Sequence, residues 1–323
     1  MKFGKLKLII GLFLIAGLIF TGLTGCSQKA AETTKEINFG YVQWPGVTVK
    51  TQVVKTIADY LGYETDTKTG AEQVVLKGME TGDLDVFLAL WLPSMKVNYD
   101  PYKEKGVVEK VAANLENCHY ITAVNKEAWD AGVKTFDDLK KFEDKFDKKI
   151  YGIEPGNDGN RIMKEKIIPG YNLEGWEVVV SGTAGMLSTV KSKTKKGEWV
   201  AFLGWQPHYM NVMFDMKYLK DPKNKWPGGG TSTVYTIIRT GFDKEDPNFY
   251  KFLKNFKLDT ETQSNWIYEY KKGGKNEKGR EPAAVAEEWI ANNLDTVEKW
   301  VKGVKAVDGT KAIDKIREKV NNK

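Results

Sequence analysis

The chain has 323 residues, of which 41% are hydrophobic and 28% are charged, and its formal net charge is +6. This length and composition support a large hydrophobic core and two lobes. The three lysines of an N-terminal leader account for half of the net charge, and the remaining 46 basic and 43 acidic residues are interspersed. Nothing in this charge pattern indicates a nucleic acid or another polyanion as a partner.

The N-terminus has the pattern of an export signal. A basic stretch over residues 1–7 precedes an apolar stretch over 8–20, which is short for a membrane span. The sequence Leu-Thr-Gly-Cys then ends at Cys26 and resembles the lipobox of bacterial lipoproteins, in which the cysteine becomes the lipid-modified first residue. We therefore predict a signal peptide over 1–25 and a lipidated tether over 26–36, with an uncleaved membrane anchor as the alternative.

Cysteine usage agrees with an exported domain that has no disulfide. Cys118 is the only other cysteine in the chain. If Cys26 is acylated, no intrachain disulfide can form, so the domain must be held together by its hydrophobic core. We interpret Cys118 as a small buried apolar residue.

Strand-like and helical patterns alternate after the tether. The first three strands and the two helices between them form a βαβαβ series, which is typical of a mostly parallel sheet. Residues 135–138 carry a capping signature at the start of another helix. The predicted strands cover 37–43, 63–69, 85–90, 107–124, 150–153, 176–181, 200–203 and 233–239. The predicted helices cover 47–61, 72–81, 161–168, 184–193 and a segment that starts at Pro282.

Three of the predicted strands lead into a tryptophan. Trp44 follows the first strand, Trp91 follows the third, and Trp205 follows a strand that we expect Gly204 to end. Open α/β sheets bind ligands beyond the carboxyl ends of their strands. Three tryptophans at such positions indicate an aromatic-walled pocket for a ligand that is both cationic and apolar, such as a quaternary ammonium. Packing in the core is the alternative role for these side chains.

The alternating pattern predicts two α/β lobes that close on a ligand in the cleft between them. The chain is expected to cross between the lobes twice, near 121–125 and near 233–237. Lobe I would consist of residues 37–122 and 235–323, and lobe II of residues 123–234.

Several longer stretches, taken together, point to a known family. They are Trp44 after the first strand, residues 82–87 (Gly-Asp-Leu-Asp-Val-Phe) leading to Trp91 and Pro93, residues 151–160 (Tyr-Gly-Ile-Glu-Pro-Gly-Asn-Asp-Gly-Asn), residues 202–208 (Phe-Leu-Gly-Trp-Gln-Pro-His) and residues 217–222 (Lys-Tyr-Leu-Lys-Asp-Pro). From residue 37 onward the chain resembles the substrate-binding proteins of bacterial ABC importers for glycine betaine, choline and related solutes. It is most similar to the choline-binding branch. The resemblance implies a two-lobed, periplasmic-binding-protein-like α/β fold of type II.

The resemblance also implies a set of binding residues. It places an aromatic box for the trimethylammonium group at Trp44, Trp91, Tyr120 and Trp205. A polar contact from lobe II falls on Asn157, which in its Pro-Gly-Asn-Asp-Gly loop could instead be a turn former. His208, three residues after Trp205, is a further candidate that could equally be a loop histidine with its own partners.

One position departs from the choline-binding branch. That branch has an acidic residue two positions after the first tryptophan, where this chain has Gly46. The missing carboxylate removes an attraction for a purely cationic ligand. It also leaves the backbone N–H groups of Gly46 and Val47 at a helix start, which favours an anion. We therefore predict that glycine betaine, a zwitterion, is preferred over choline.

The sequence argues against an enzyme. It has neither a phosphate-binding P-loop nor a Gly-x-Ser-x-Gly nucleophile motif. His119 and His208 are the only histidines, and neither belongs to a cluster with metal-ligand spacing. Asp83 and Asp85 fit a solvated turn better than an acid/base pair.

The sequence thus predicts a monomeric, lipid-anchored solute-binding component of an ABC importer on the outer face of the cell membrane or the periplasmic side. Its partners would be the permease and the ATPase, and no cofactor or metal is expected. A choline- or carnitine-specific binding protein and a ligand-binding sensor lipoprotein without transport are the alternatives.

Overall fold

The computed structural model describes residues 35–272 and 278–322. The predicted signal peptide, Cys26 and all but the last two residues of the predicted tether lie outside this part, so their processing stays a prediction. Lys35 forms an ion pair of 2.9 Å with Asp246, and the first strand begins at the next residue. None of the described helices is long and apolar enough to span a membrane.

A mixed sheet of nine strands runs through the described residues. The strands are β1 (Glu36–Tyr41), β2 (Glu64–Thr69), β3 (Val86–Leu92), β4 (Val108–Asn125), β5 (Lys149–Tyr151), β6 (Glu177–Val179), β7 (Ala201–Gln206), β8 (Met216–Tyr218) and β9 (Thr231–Arg239). Their order across the sheet is β2-β1-β3-β9-β4-β7-β5-β6, and β8 pairs with β4. β1 is parallel to β2 and β3, and β5 is parallel to β6 and β7, whereas β4 and β9 are antiparallel to their neighbours. The three strands of the predicted βαβαβ series are parallel, as expected. The sheet as a whole is mixed, because two long antiparallel strands lie between the two parallel groups.

Strand β4 joins the two parallel groups. It pairs with β9 from Val108 to His119 and with β7 from His119 to Val124. His119 is the residue at which the partner changes, since it lies opposite Thr231 in β9 and opposite Gln206 in β7. The proposed lobes would meet along this strand and β9, a few residues before the predicted crossing points.

The helices of the described part occupy the connections between strands and the C-terminal region. They are α1 (Pro45–Tyr60), α2 (Glu72–Thr81), α3 (Lys96–Glu104), α4 (Lys126–Asp130), α5 (Phe136–Lys141), α6 (Asp158–Ile162), α7 (Ile168–Gly170), α8 (Thr183–Lys195), α9 (Met210–Met213), α10 (Phe242–Glu245), α11 (Pro247–Asn255), α12 (Thr260–Lys272), α13 (Pro282–Asn292), α14 (Leu294–Trp300) and α15 (Ala312–Asn321). Short 3-10 helices cover Glu143–Phe146 and Pro227–Gly230, and a π-helical turn covers Met163–Ile167. The predicted capping box is confirmed, with reciprocal bonds between Thr135 and Asp138. The single helix predicted over 161–168 is replaced by α6, the π turn and α7, which together start earlier and end later.

Gly204 does not end its strand. β7 continues through it to Gln206, and Trp205 lies within the strand. A Cβ atom placed on Gly204 would lie 2.9 Å from Met216 Cε and 3.0 Å from Ala123 Cβ. A glycine is needed here because neighbouring chain segments pack closely against β7. The prediction that Gly204 ends the strand is therefore wrong.

One lysine is buried inside the core against which α1 packs. Lys50 is 1% exposed, and its Nζ donates to Asn114 Oδ1 at 2.7 Å and to the Leu88 carbonyl at 3.2 Å. Asn114 in turn donates to the same carbonyl at 3.0 Å and to Thr236 Oγ1 at 2.9 Å. Because the group is removed from water and these acceptors are neutral, the pKa of Lys50 falls to about 7.

This lysine should make folding stability depend on pH. The unfolded chain keeps Lys50 protonated up to a pKa of about 10.4, whereas the folded protein loses the proton near pH 7. Folding therefore releases a proton between these values, and the free energy of unfolding contributed by this group rises with pH by up to about 1.4 kcal/mol per pH unit. Lys50→Met should flatten that rise, measured by urea denaturation at a series of pH values above about 7.

Lys55→Met is the matched control, because Lys55 lies on the same helix and pairs with Asp59 at the surface. This variant should keep the pH dependence of the wild-type protein. A Lys50→Met variant with the wild-type slope would contradict the assignment.

Candidate ligand-binding site

The structure brings all seven predicted ligand contacts to one cavity. The cavity encloses about 460 Å³ of space between atoms, its opening included. The predicted residues that line it are Trp44, Gly46, Val47, Trp91, Tyr120, Asn157 and Trp205. Its other lining residues, which sequence analysis missed, are Met95, Ile153, Pro207 and Gln263.

Strand register assembles the aromatic walls. Tyr120 in β4 lies directly opposite Trp205 in β7, so the two side chains project from the same face of the sheet. Trp91 comes from the end of β3, and its ring centroid is 6.0 Å from that of Tyr120 with a tilt of 51°. Strands β3, β4 and β7 thus contribute one ring each, and Trp44 adds a fourth from the turn before α1.

A carboxylate outside the cavity lining holds Trp44. The indole Nε1 of Trp44 donates to Glu154 Oε2 at 3.2 Å. The other oxygen of Glu154 accepts from the Thr183 amide at 2.9 Å and from the Thr183 hydroxyl at 2.7 Å. Glu154 therefore orients the ring and is itself fixed by the start of α8. Sequence analysis included Glu154 in a family stretch but gave it no role.

Asn157 caps a helix and also lies in the cavity wall, so its contact with a ligand stays a prediction. Its Oδ1 accepts from the Tyr120 hydroxyl at 2.7 Å and from the Gly159 amide at 2.8 Å, which makes it the N-cap of α6. It also lines the cavity. Burial raises the pKa of Tyr120 well above its ordinary value, so the hydroxyl that it presents is neutral.

The start of α1 forms another part of the cavity wall, through Gly46 and Val47. Trp44 is the N-cap residue but contributes no side-chain acceptor, and Pro45 occupies the first position of the helix. Within residues 35–272 and 278–322, no acceptor is found for the amides of Gly46 and Val47. Because α1 has 16 residues, these N–H groups lie at the positive end of a substantial helix dipole.

The lining carries no charged side chain among the described residues. A cation in the cavity would therefore meet aromatic faces, and an anion would meet neutral donors. In the same part of the chain, no group of three or more His, Cys, Asp and Glu side chains could hold a metal ion.

His208 lies behind the aromatic wall. Its ring centroid is 4.6 Å from that of Trp205, and it is not among the residues that line the cavity. Its Nδ1 accepts from the Met210 amide at 3.1 Å, while its Nε2 has no partner among the described residues. Burial, and to a lesser extent the positive charge of Lys271, lowers the pKa of His208 to about 3, so the ring is neutral and supports Trp205 by packing.

Comparison with known proteins identifies relatives over most of the chain. Residues 35–292 match the OpuAC family, described as the substrate binding domain of the ABC-type glycine betaine transport system. The glycine betaine/carnitine transport binding protein GbuC of Listeria monocytogenes is 34% identical over 176 residues. That match spans 54% of this chain and 56% of the Listeria protein, so the chain spans little more than half of this relative.

Two solved structures have a similar fold. An ABC-transporter choline binding protein in complex with choline is 35% identical, with a TM-score of 0.83, over 88% of this chain and 98% of that chain. Lactococcal OpuAC in its closed-liganded conformation with glycine betaine is 25% identical, with a TM-score of 0.74, over 83% of this chain and 100% of that chain. These matches confirm the predicted periplasmic-binding-protein-like α/β fold, and the matching family is a family of transport proteins, as predicted, rather than of enzymes. The chain belongs to the family of substrate-binding domains of ABC-type glycine betaine transport systems.

Proposed function

We propose that the protein captures a quaternary ammonium solute, glycine betaine ahead of choline, and delivers it to the permease of its ABC importer. The observation that carries this proposal is the convergence of four aromatic rings and two helix-start amides on one uncharged cavity. The solved relatives that hold choline and glycine betaine support the same class of ligand.

The aromatic box would hold the trimethylammonium end. A desolvated cation gains about 1–2 kcal/mol from each aromatic face, so the four rings provide roughly 4–8 kcal/mol. Micromolar affinity requires about 8 kcal/mol net of the costs of association. The box alone is therefore marginal, and contacts at the other end of the ligand must supply the remainder.

The start of α1 would hold the carboxylate end. The amides of Gly46 and Val47 are donors without internal acceptors, and they lie at the positive end of the helix dipole. The side-chain amide of Asn157 can add a donor from the opposite side, because its oxygen is already occupied. Choline has a hydroxyl group in place of the carboxylate and satisfies fewer of these donors, which is why glycine betaine is favoured.

Closure of the two proposed lobes would bury the ligand. Trp44 and Trp91 come from lobe I, whereas Asn157 and Trp205 come from lobe II, and all four line the same cavity. We also propose that residues 1–25 are a signal peptide and that lipidated Cys26 tethers the domain to the membrane. The domain would then present its ligand to the permease at the membrane surface.

A buried carboxyl pair joins the proposed lobes beside this cavity. Glu72 in α2 is 3% exposed and faces Asp158 at the start of α6 and Asn98 in α3. Asp158 accepts from Arg161 at 2.6 Å and from Asn98 at 3.1 Å. Burial, reinforced by the negative charge of Asp158, raises the pKa of Glu72 well above its ordinary value, so the closed arrangement favours the protonated form of Glu72.

The ligand preference is tested by calorimetric titration of the domain from Ser27 onward with glycine betaine, choline and carnitine in parallel. We expect glycine betaine to bind most tightly, because it alone combines a compact trimethylammonium group with an adjacent carboxylate. Tighter binding of choline would contradict the role of the helix start. Absence of binding by all three solutes would contradict the aromatic box itself.

Removal of one box ring should weaken binding without unfolding the protein. Trp91→Leu keeps an apolar side chain but removes the aromatic face, so we expect the Kd for glycine betaine to rise about 5- to 30-fold. Trp176→Leu is the matched control, since Trp176 is 6% exposed against 7% for Trp91 but packs on Phe146 away from the cavity. The control should lower the melting temperature and leave the Kd unchanged. Full affinity in Trp91→Leu would argue against the box.

Lobe closure should be linked to the protonation of Glu72. If opening exposes Glu72 to water and separates it from Asp158, Glu72 ionises in the open form above a pH of about 4.3. Ligand binding would then take up a proton, and affinity would decrease as pH rises. Titration calorimetry in buffers with different ionisation enthalpies measures this uptake directly. Glu72→Gln should abolish it while binding persists, and an equal uptake in the variant would contradict the link.

A further inference from the structure

Gln263 is a buried polar side chain in the cavity wall with no role in the binding scheme described so far. It lies in the first turn of α12, is 2% exposed and lines the cavity. Within residues 35–272 and 278–322, its Oε1 has no hydrogen-bond partner, and no hydrogen bond joins its Nε2 to another side chain or to the backbone. Buried amides are rarely left without partners, because an unmade hydrogen bond costs free energy. The side-chain NH2 group is a donor, so an acceptor atom of a ligand in the cavity can supply the partner that this group lacks.

The amide lies next to the start of α1. A Cβ atom placed on Gly46 would lie 2.5 Å from Gln263 Nε2 and 3.4 Å from Gln263 Cδ. A side chain at position 46 and the amide of Gln263 therefore compete for the same space. Because position 46 is a glycine, the amide of Gln263 can occupy this space beside the backbone N–H groups of Gly46 and Val47.

We infer that Gln263 determines the ligand specificity of the cavity, by donating its side-chain amide to the carboxylate of a zwitterionic quaternary ammonium. This inference rests on the proposed function and deepens it. Together with the amides of Gly46 and Val47, Gln263 makes this end of the cavity a cluster of neutral donors. A carboxylate has two oxygens with about four acceptor positions, enough for all of them. A ligand with only a hydroxyl group leaves buried donors unpaired, and that loss discriminates between ligands.

The first test changes the amide and compares two ligands. Gln263→Leu removes the donor at similar size, so the Kd for glycine betaine should rise about 10-fold or more, while the Kd for choline changes by less than about 3-fold. Gln263→Glu places a carboxylate against that of glycine betaine, and it should reverse the preference so that choline binds more tightly. Both Kd values are measured by titration calorimetry, with melting temperatures to verify folding.

Gln52→Leu is the matched control, because Gln52 lies on α1 and does not line the cavity. It should leave the ratio of the two Kd values unchanged. Tighter binding of glycine betaine by Gln263→Leu would overturn the inference, since it would mean that the side chain blocks the helix-start donors.

The second test uses the competition for space between positions 46 and 263. Gly46→Ala alone should weaken glycine betaine binding, because the new methyl group displaces the Gln263 amide. In the Gly46→Ala, Gln263→Ala double variant the clash with Gln263 is absent, and the remaining close contact of the methyl group is with Ile267 Cδ1 at 3.1 Å, the end of a flexible side chain. Its Kd should therefore come close to that of Gln263→Ala alone. The difference between the effect of the double variant and the sum of the two single effects on Kd measures the interaction between positions 46 and 263. Fully additive effects would show that the two positions act independently and would overturn the inference.

The outcomes separate this inference from the proposed function. A wild-type protein that binds neither solute overturns both. A wild-type protein that prefers glycine betaine, with the same preference retained in Gln263→Leu and Gln263→Glu, overturns the role of Gln263 and leaves the proposed function intact.

Discussion

The pairing of β4 with two different partners is the constraint on which the site depends. One strand hydrogen-bonds to β9 along its first part and to β7 along its last part, with His119 at the change. That register places Tyr120 opposite Trp205, and the pairing of β9 with β3 brings Trp91 to the same region. A shift of one residue would turn these side chains to the opposite face of the sheet. Backbone hydrogen bonding between strands therefore places three of the four rings, and Trp44, in the turn before α1, is held by its side-chain bond to Glu154.

The cavity wall offers aromatic faces and helix-start amides, which suit groups of opposite charge, and none of its described lining residues has a charged side chain. Aromatic faces stabilise a cation whose hydration shell has been removed, and they do so without a counter-ion that would itself need solvation. The helix-start amides stabilise an anion by fixed dipoles that are already oriented before the ligand arrives. Glu154 contributes indirectly, because its carboxyl oxygens accept hydrogen bonds from Trp44 and Thr183 and it does not line the cavity. A ligand with both charges satisfies both ends at once, whereas a ligand with one charge leaves an end unused.

Sequence reasoning found the parts of this site that depend on local patterns and missed those that depend on distant contacts. The strand-end tryptophans and the helix start at Gly46 are visible as short motifs, and the structure places them at one cavity. The hydrogen bond between Trp44 and Glu154 joins residues 110 positions apart. Gln263, in the C-terminal region, lies next to Gly46. A periodic pattern in the sequence predicts neither contact. Gly204 was misread for the same reason. A glycine that ends a strand and a glycine that admits a neighbouring side chain look alike until the neighbour is known.

The buried lysine shows how the core supports this geometry. Lys50 belongs to the helix whose first turn lines the cavity, and it donates to the carbonyl of Leu88 in the strand that carries Trp91. Through Asn114 and Thr236 the same network reaches β4 and β9. An apolar residue at position 50 could fill the space, but hydrophobic contact is not directional and fixes no single alignment. Hydrogen bonds are directional, and those of this network have acceptors on β3, β4 and β9, so they fix one alignment of the helix on the sheet. The cost of burying the amine is therefore offset by a network that ties the helix whose first turn lines the cavity to the strands that carry Trp91 and Tyr120.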